Sequence, residues 1–175
     1  MDPSKVEQLL AVSTRGREVS AIAIRPDGRV VAAAILEQVT LWDTTDGREI
    51  RTLNGHADHV SCLEFRADGA VLASGGHDRV VKLWDVAGGK EIRTLHGPTD
   101  SVRGLAFSPD GKWVYLTGYL LNQQVDAVRE YLHAVLRTDW TGQGKAELFV
   151  GSVQRGAKDS GTQGFRVPTA VACDK

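Results

Sequence analysis

The side chains of this chain best suited to chemistry are His56 and His59 with Asp58 between them, and the pair His77-Asp78 further along. Imidazoles and carboxylates at such spacings are the donors a divalent metal takes, but a metal needs three or four of them converging at fixed geometry. Loops of one short strand-and-turn unit seldom supply that, so no metal site is expected. The run Asp43-Thr44-Thr45-Asp46-Gly47 shares the acidic spacing of part of a calcium loop. It lacks the bidentate Glu at loop position twelve and falls between two strand-like runs, so it reads as an Asp-Gly turn. No Gly-x-Ser-x-Gly elbow, phosphate loop or dinucleotide fingerprint occurs. Gly75-Gly76, Gly88-Gly89 and Gly142-x-Gly144 are hairpin glycines that allow positive φ. With no catalytic constellation and no cofactor motif, the chain reads as a non-enzyme that needs no cofactor.

The bulk properties narrow the field further. A chain of 175 residues has a prior of one domain or slightly more. Lys and Arg number 21 against 22 Asp and Glu, a formal net charge of −1, which speaks against general nucleic-acid binding or a membrane-surface role. No apolar run approaches the ~20 residues that span a bilayer. The stretch MDPSKVEQLLAV lacks a basic region followed by a long apolar core, so no signal peptide is read. Cys62 and Cys173 show neither a disulfide framework nor metal-ligand spacing. A reducing compartment, the cytoplasm, is the expectation.

The elements that must position these side chains announce themselves by repetition. VSAIAIRPDGRVVAAAILEQVTLWDTTDGREIRTLNGH is followed by VSCLEFRADGAVLASGGHDRVVKLWDVAGGKEIRTLHG. Val19 and Val60 are 41 apart (60 − 19), and Trp42 and Trp84 are 42 apart (84 − 42). A third copy opens at Val102 with VRGLAFSPDGKWV. A fixed period of this size marks a repeat architecture. Within the second copy, VSCLEF, VLAS, VVKLW and EIRTL are short strand-like runs separated by Asp-Gly and Gly-Gly turns, which describes an antiparallel meander. One four-stranded meander cannot bury both faces, so like units must stack against it as the blades of a propeller. The fold class is therefore all-β, and helical periodicity is absent from 17 to 118.

Gly55-His56, Ser74, Asp78 and Trp84-Asp85 make the second unit resemble a WD repeat of a β-propeller. The resemblance covers roughly residues 17 to 118. It implies a hydrogen-bonded tetrad inside a blade, mapping onto His56, Ser74, Asp78 and Trp84. Such a set leaves no polar group unpaired: the Asp accepts from the imidazole, and the hydroxyl links imidazole and indole. It also gives His56 and Asp78 structural work in place of metal binding.

The other copies depart from this pattern. In the first, Ala33 stands for Ser74, Glu37-Gln38 for His77-Asp78, and Arg15-Gly16 for the Gly-His pair. That blade should hold by packing alone, and more weakly. The third copy diverges after Lys112, and Val125-Asp126 falls where Trp-Asp is due. The rhythm returns in DWTGQGKAELFVG, with Trp140 29 past Gly111 (140 − 111) against 15 for Trp84 past Gly69 (84 − 69). An insertion of 14 residues between the second and third strands, around NQQVDAVREY, accounts for this. An amphipathic helix with Val125, Val128, Leu132, Val135 and Leu136 on one face is the rival. Trp42 and Trp84 read as blade-core residues. For Trp113 and Trp140 core packing is also preferred, although an exposed Trp in the inserted loop would be an interface anchor.

The organisation follows. Residues 1–16 form a lead-in strand or arm, 17–56 and 57–97 the first two blades, and 98–151 a divergent third blade with its insertion near 119–131. Residues 152–175 hold a glycine-rich loop and VPTAVACDK, which resembles the opening of an NHL-type propeller repeat. About three blades and the start of a fourth make an incomplete propeller, since closed rings typically take four to eight.

The resemblance and the missing catalytic set together suggest a non-catalytic scaffold that binds other proteins, with further propeller blades in trans, by self-association, as another class of partner. Turns on one rim would make the contact, namely Asp58 and His59 after the first blade and Thr99 and Asp100 after the second. The alternative is the regulatory or substrate-binding part of a larger enzyme whose site needs further blades.

Overall fold

The structure, a computed structural model, describes residues 17–96, 100–121, 131–139 and 147–151. All of its regular elements are strands, arranged as three four-stranded antiparallel sheets. The first blade holds β1 (Val19–Ile24), β2 (Val30–Ile35), β3 (Gln38–Asp43) and β4 (Glu49–Leu53) in that order. The second holds β5 (Val60–Phe65), β6 (Val71–Gly76), β7 (Val80–Asp85) and β8 (Lys90–His96). The third holds β9 (Val102–Phe107), β10 (Trp113–Leu121), β11 (Tyr131–Asp139) and β12 (Glu147–Gly151).

Tight turns make the meanders. Gly28, Gly69 and Gly111 sit at the same place in the three blades with φ near +70° (72°, 68° and 69°), a conformation glycine reaches without a Cβ penalty. Each is the closing residue of an Asp-Gly turn, and the preceding Asp accepts the N–H two residues on: Arg29 at 3.0 Å, Ala70 at 3.0 Å and Lys112 at 3.1 Å. The local sequence thus dictates the first hairpin of every blade.

Burial explains why VVAAAI and VLASGG contain almost nothing polar. β6 is buried at every position, because a blade's second strand is covered on both faces by its neighbours. The outer strands fade to solvent, with Glu91 and Ile92 exposed on β8. Apolar clusters form between blades. Leu63, Phe65, Leu72 and Trp84 of the second blade close against Ala32, Ala34, Val39, Leu41 and Leu53 of the first. Cys62, Val71, Ala73, Val81 and Leu83 of the second close against Val102, Phe107, Val114 and Leu116 of the third. Cys62 is buried there, and burial pushes its thiol pKa up to about 12.

The third blade shows strand in the described part of the segment that admitted two readings, while Val125 and Val128 lie outside the described residues. Residues 131–139 are strand β11, so Leu132, Val135 and Leu136 lie on a strand and not on a helix face. Trp113 pairs with Asp139 as Val71 pairs with Asp85, and pairing continues to Leu121 opposite Tyr131. The hairpin from 113 to 139 therefore spans 26 residues (139 − 113) against 14 (85 − 71), an excess of 12. This differs from the 14 read off the Trp spacing because the order is Asp-Trp here: Asp139 takes the place of Asp85, and Thr138 opposes Val114 as Trp84 opposes Leu72. Much of the excess lengthens the two strands. The lead-in 1–16, the centre of the insertion, Thr99, Trp140, Cys173 and the NHL-like 152–175 lie outside the described residues.

Candidate functional site

The second blade draws four distant side chains into one buried line. Gly55 leaves the first blade with φ +154°, and a Cβ there would stand 3.1 Å from Cη2 of Trp84. That close approach carries His56 under the second blade. Trp84 Nε1 lies 2.8 Å from Ser74 Oγ, Ser74 Oγ 2.7 Å from His56 Nε2, and His56 Nδ1 2.8 Å from Asp78 Oδ2. An indole N–H only donates and a carboxylate only accepts, so the direction is set. Trp84 donates to Ser74, Ser74 to His56, and His56 to Asp78. Asp78 Oδ2 also accepts the N–H of Ala57 at 3.0 Å, which fixes the loop that delivers the histidine.

Ser74, His56 and Asp78 stand in the order of a hydrolase triad, but the environment forbids that chemistry. Ser74 is completely buried and its oxygen already accepts from the Trp84 indole, so no substrate carbonyl reaches it. Burial also lowers the His56 pKa, against the opposing pull of Asp78, so the ring stays neutral at pH 7. The four groups saturate one another. This is a staple and not a reaction centre.

A second polar group flanks it, which sequence reading passed over. Lys82 is buried, and its Nζ donates to Glu91 Oε2 at 2.8 Å and to Thr94 Oγ1 at 2.9 Å. Thr94 Oγ1 donates to Glu91 Oε1 at 2.5 Å. These bonds from Lys82 and then Thr94 hold the Glu91 carboxyl below its ordinary range. The repeated Glu-x-x-Thr at Glu49-Thr52 and Glu91-Thr94 was the available signal, because Thr52 donates likewise to Glu49 at 2.9 Å.

The lost tetrad led to the expectation that the first blade holds by packing alone, and the structure corrects it: polar side chains pair across its outer strands. Thr40 and Thr52 share a hydrogen bond of 3.1 Å, and Gln38 Nε2 donates to Asn54 Oδ1 at 2.9 Å. Trp42, read as a core residue, is only half-buried.

The rim positions serve their own turns. Asp58 Oδ1 accepts the His59 N–H at 2.7 Å and lies 2.9 Å from His59 Nδ1. Asp100 Oδ1 accepts the Ser101 N–H at 2.7 Å, the same device one repeat later. The exposed His59 ring faces His77, 6.2 Å between centroids, and the His77 N–H donates to the His59 carbonyl at 2.8 Å. Asp43 and Asp46 likewise spend carboxylate oxygens on the N–H groups of Thr45 and Arg48, at 2.7 and 3.0 Å. Among the described residues no three His, Cys, Asp or Glu side chains converge as metal ligands.

Comparison with known proteins follows the same units. The family model described as WD domain, G-beta repeat matches residues 47–85 and 89–120. Each match runs from the outer strand of one blade into the next, a stagger that matches the delivery of His56 across the blade boundary. The Danio rerio intraflagellar transport protein 122 homolog is 36% identical over 80 residues, 46% of this chain and 6% of that protein. The periodic tryptophan protein 2 homolog of Schizosaccharomyces pombe is 39% identical over 67 residues, 37% of this chain and 8% of that one. WD repeat-containing protein 18 of Rattus norvegicus is 36% identical over 63 residues, 36% of this chain and 15% of that one. The chain thus spans a small part of each relative. The solved structure of U3-55K superposes with a TM-score of 0.65 at 22% identity, over 78% of this chain and 40% of that one, and the RRP9 WD40 repeats do so over 78% and 39%.

Proposed function

We propose, from the premise that this chain is a WD-repeat protein of the β-propeller class, that it acts as a non-catalytic scaffold presenting blade-edge turns to another protein. The observation that carries this reading is the Ser74–His56–Asp78 line. The side chains best arranged for chemistry are buried and spent on one another, and they stiffen the loop that displays Asp58 and His59. Loops on rigid frameworks are where recognition concentrates. Asp58, His59, Thr99 and Asp100 are the proposed contact positions. A cytoplasmic location belongs to the same proposal and rests on two cysteines without disulfide spacing.

The test is quantitative capture of binding proteins by the chain, by Asp58→Ala/His59→Ala and by an outer-strand control, Ile92→Ser. Loss of the same partner in the rim variant, with binding kept in the control and both melting curves unchanged, is the expected result. Equal capture by all three removes the rim from the reading. A rise in melting temperature with a small-molecule substrate would instead favour part of an enzyme, since a ligand of the folded state stabilises it by mass action.

A further inference from the structure

Neighbouring blades are joined by a device that recurs at both junctions. Ser20 Oγ of the first blade donates to the Val60 carbonyl of the second at 2.5 Å, and Ser61 of the second donates to the Val102 carbonyl of the third. Five residues on from each serine, Arg25 and Arg66 are clamped by their own turns. Arg25 makes two bonds to Asp27 (2.8 and 2.7 Å), and Arg66 two to Asp68 (2.9 and 2.6 Å). So held, the arginine stem lies over the turn glycine of the next blade. A Cβ on Gly69 would stand 2.8 Å from Arg25 Cγ, and one on Gly111 3.1 Å from Arg66 Cδ. Between these two anchors the next blade inserts its apolar side chains, as Leu63 and Phe65 do at 7% and 6% exposure.

The first blade carries the receiving half of this joint on its other side, with its positions exposed or half-buried where those of the second blade are buried. Ile22 and Ile24, 41 residues before Leu63 and Phe65, are 64% and 61% exposed. Val31 and Trp42, the counterparts of Leu72 and Trp84, are half-buried. Gly28, the counterpart of Gly69, has φ +72° and, among the described residues, nothing within 4 Å of where a Cβ would stand. Among the described residues, three separate parts of the joint are left uncovered on the same face.

The third blade does not match this socket. Where a donor blade needs the serine it has exposed Arg103, and where it needs the arginine it has Ser108, whose hydroxyl is bonded to Asp110 at 2.5 Å. We infer that the Ile22–Ile24 face of the first blade is a docking site for a further WD-type blade bearing Ser-x-x-x-x-Arg-x-Asp-Gly, and that the third blade of a second copy is not its occupant. The serine supplies a hydroxyl to the Val19 carbonyl, and the clamped arginine covers Gly28.

Inserting one blade in the full chain tests this. Residues 17–57 are duplicated between positions 16 and 17, which keeps the 41-residue period. A second chain differs only by exchanging Ser20→Arg and Arg25→Ser in the duplicate, imitating the third blade. Both carry Ile24→Cys in the original blade and Cys173→Ser, and maleimide labelling at position 24 is located by peptide mass. Labelling is expected to slow about tenfold with the unaltered duplicate, the ratio of Ile24 exposure to that of Phe65, and to stay at the rate of the uninserted chain with the exchanged one. Duplicating 58–98 in the same place, which supplies Ser61 and Arg66, is expected to protect equally and serves if the first insertion does not fold. Equal protection by unaltered and exchanged duplicates overturns the serine–arginine code, and no protection by any duplicate overturns the socket.

Discussion

The first and second blades have nearly the same backbone and solve the same packing problem with different chemistry. Both pair four strands through equivalent registers, Ala33 opposite Thr40 and Ser74 opposite Lys82. In the second blade those positions feed hydrogen-bonded networks beside Trp84, which packs against the first blade at 2% exposure. In the first blade, Ala33 offers the indole no acceptor, and Trp42 stays half-buried. The comparison teaches that the meander is set by strands and turns, which both blades share. The tetrad adds a lock between one blade and the loop arriving from its neighbour.

Removing the two tryptophans should separate the blades most. Trp84→Ala deletes a fully buried ring and is expected to cost about 3–5 kcal/mol of unfolding free energy in a denaturant titration. Trp42→Ala should cost about 1 kcal/mol, the ordinary size for a partly exposed site. Similar costs would mean that the two indoles are equally integrated, and the contrast would fail.

The polar lock comes next. Asp78→Ala leaves the His56 Nδ1–H and the Ala57 N–H without their acceptor, at about 1–3 kcal/mol. Glu37→Ala, in the corresponding turn of the first blade, should stay within about 0.5 kcal/mol. The lock also has a pH signature. The His56 pKa is lowered in the folded chain, chiefly by burial and further by Lys82, while Asp78 and Glu91 pull it up. The unfolded chain therefore takes up the proton first as pH falls. The stability contributed by neutral His56 is complete above the ordinary value of 6.5 and is lost as pH falls below it. In Asp78→Ala the loss should begin at the same pH and reach further down, because one of the two groups favouring protonation is gone.

A smaller contrast lies in the flanking network. Lys82→Met keeps the stem beside Gly55 but removes the cation, leaving Glu91 bonded only to Thr94, and about 1 kcal/mol is expected. Thr40→Val in the first blade removes one neutral hydrogen bond and should cost less, a ranking that melting curves at two salt concentrations can check. The smallest effect concerns Glu64, which stands where the first and third blades have Ala23 and Ala106. Burial raises its pKa, so its ionisation opposes folding as pH rises through and above 4.5. Glu64→Gln should therefore raise the melting temperature at pH 7 and leave it nearly unchanged at pH 4.

Much of this was legible in the chain because repetition converts one weak signal into several. The Asp-Gly turns at 28, 69 and 111 and the Trp-Asp pairs place the first two blades without any coordinates. His56, Ser74, Asp78 and Trp84 could be named from the family pattern, though not from their spacing alone. Lys82 was not legible, since a lysine in a strand ordinarily faces water. Its burial depends on Glu91 and Thr94 lying across a strand pair. The length of the third-blade insertion was misread for a related reason: strand register counts paired backbones, and the Asp-Trp inversion at 139–140 moved the visible landmark by two residues, from the place of Thr138 to 140.

The sequence by itself determined the period, the all-β class and the hairpin turns, because those depend on local φ preferences and on an alternation repeated about every forty residues. Only the tertiary structure decided which polar groups are spent and which apolar ones remain uncovered. Ile22 and Leu63 sit at equivalent places in equivalent strands. What separates them is that Leu63 has another blade in front of it, and burial is a property of neighbours and not of residues.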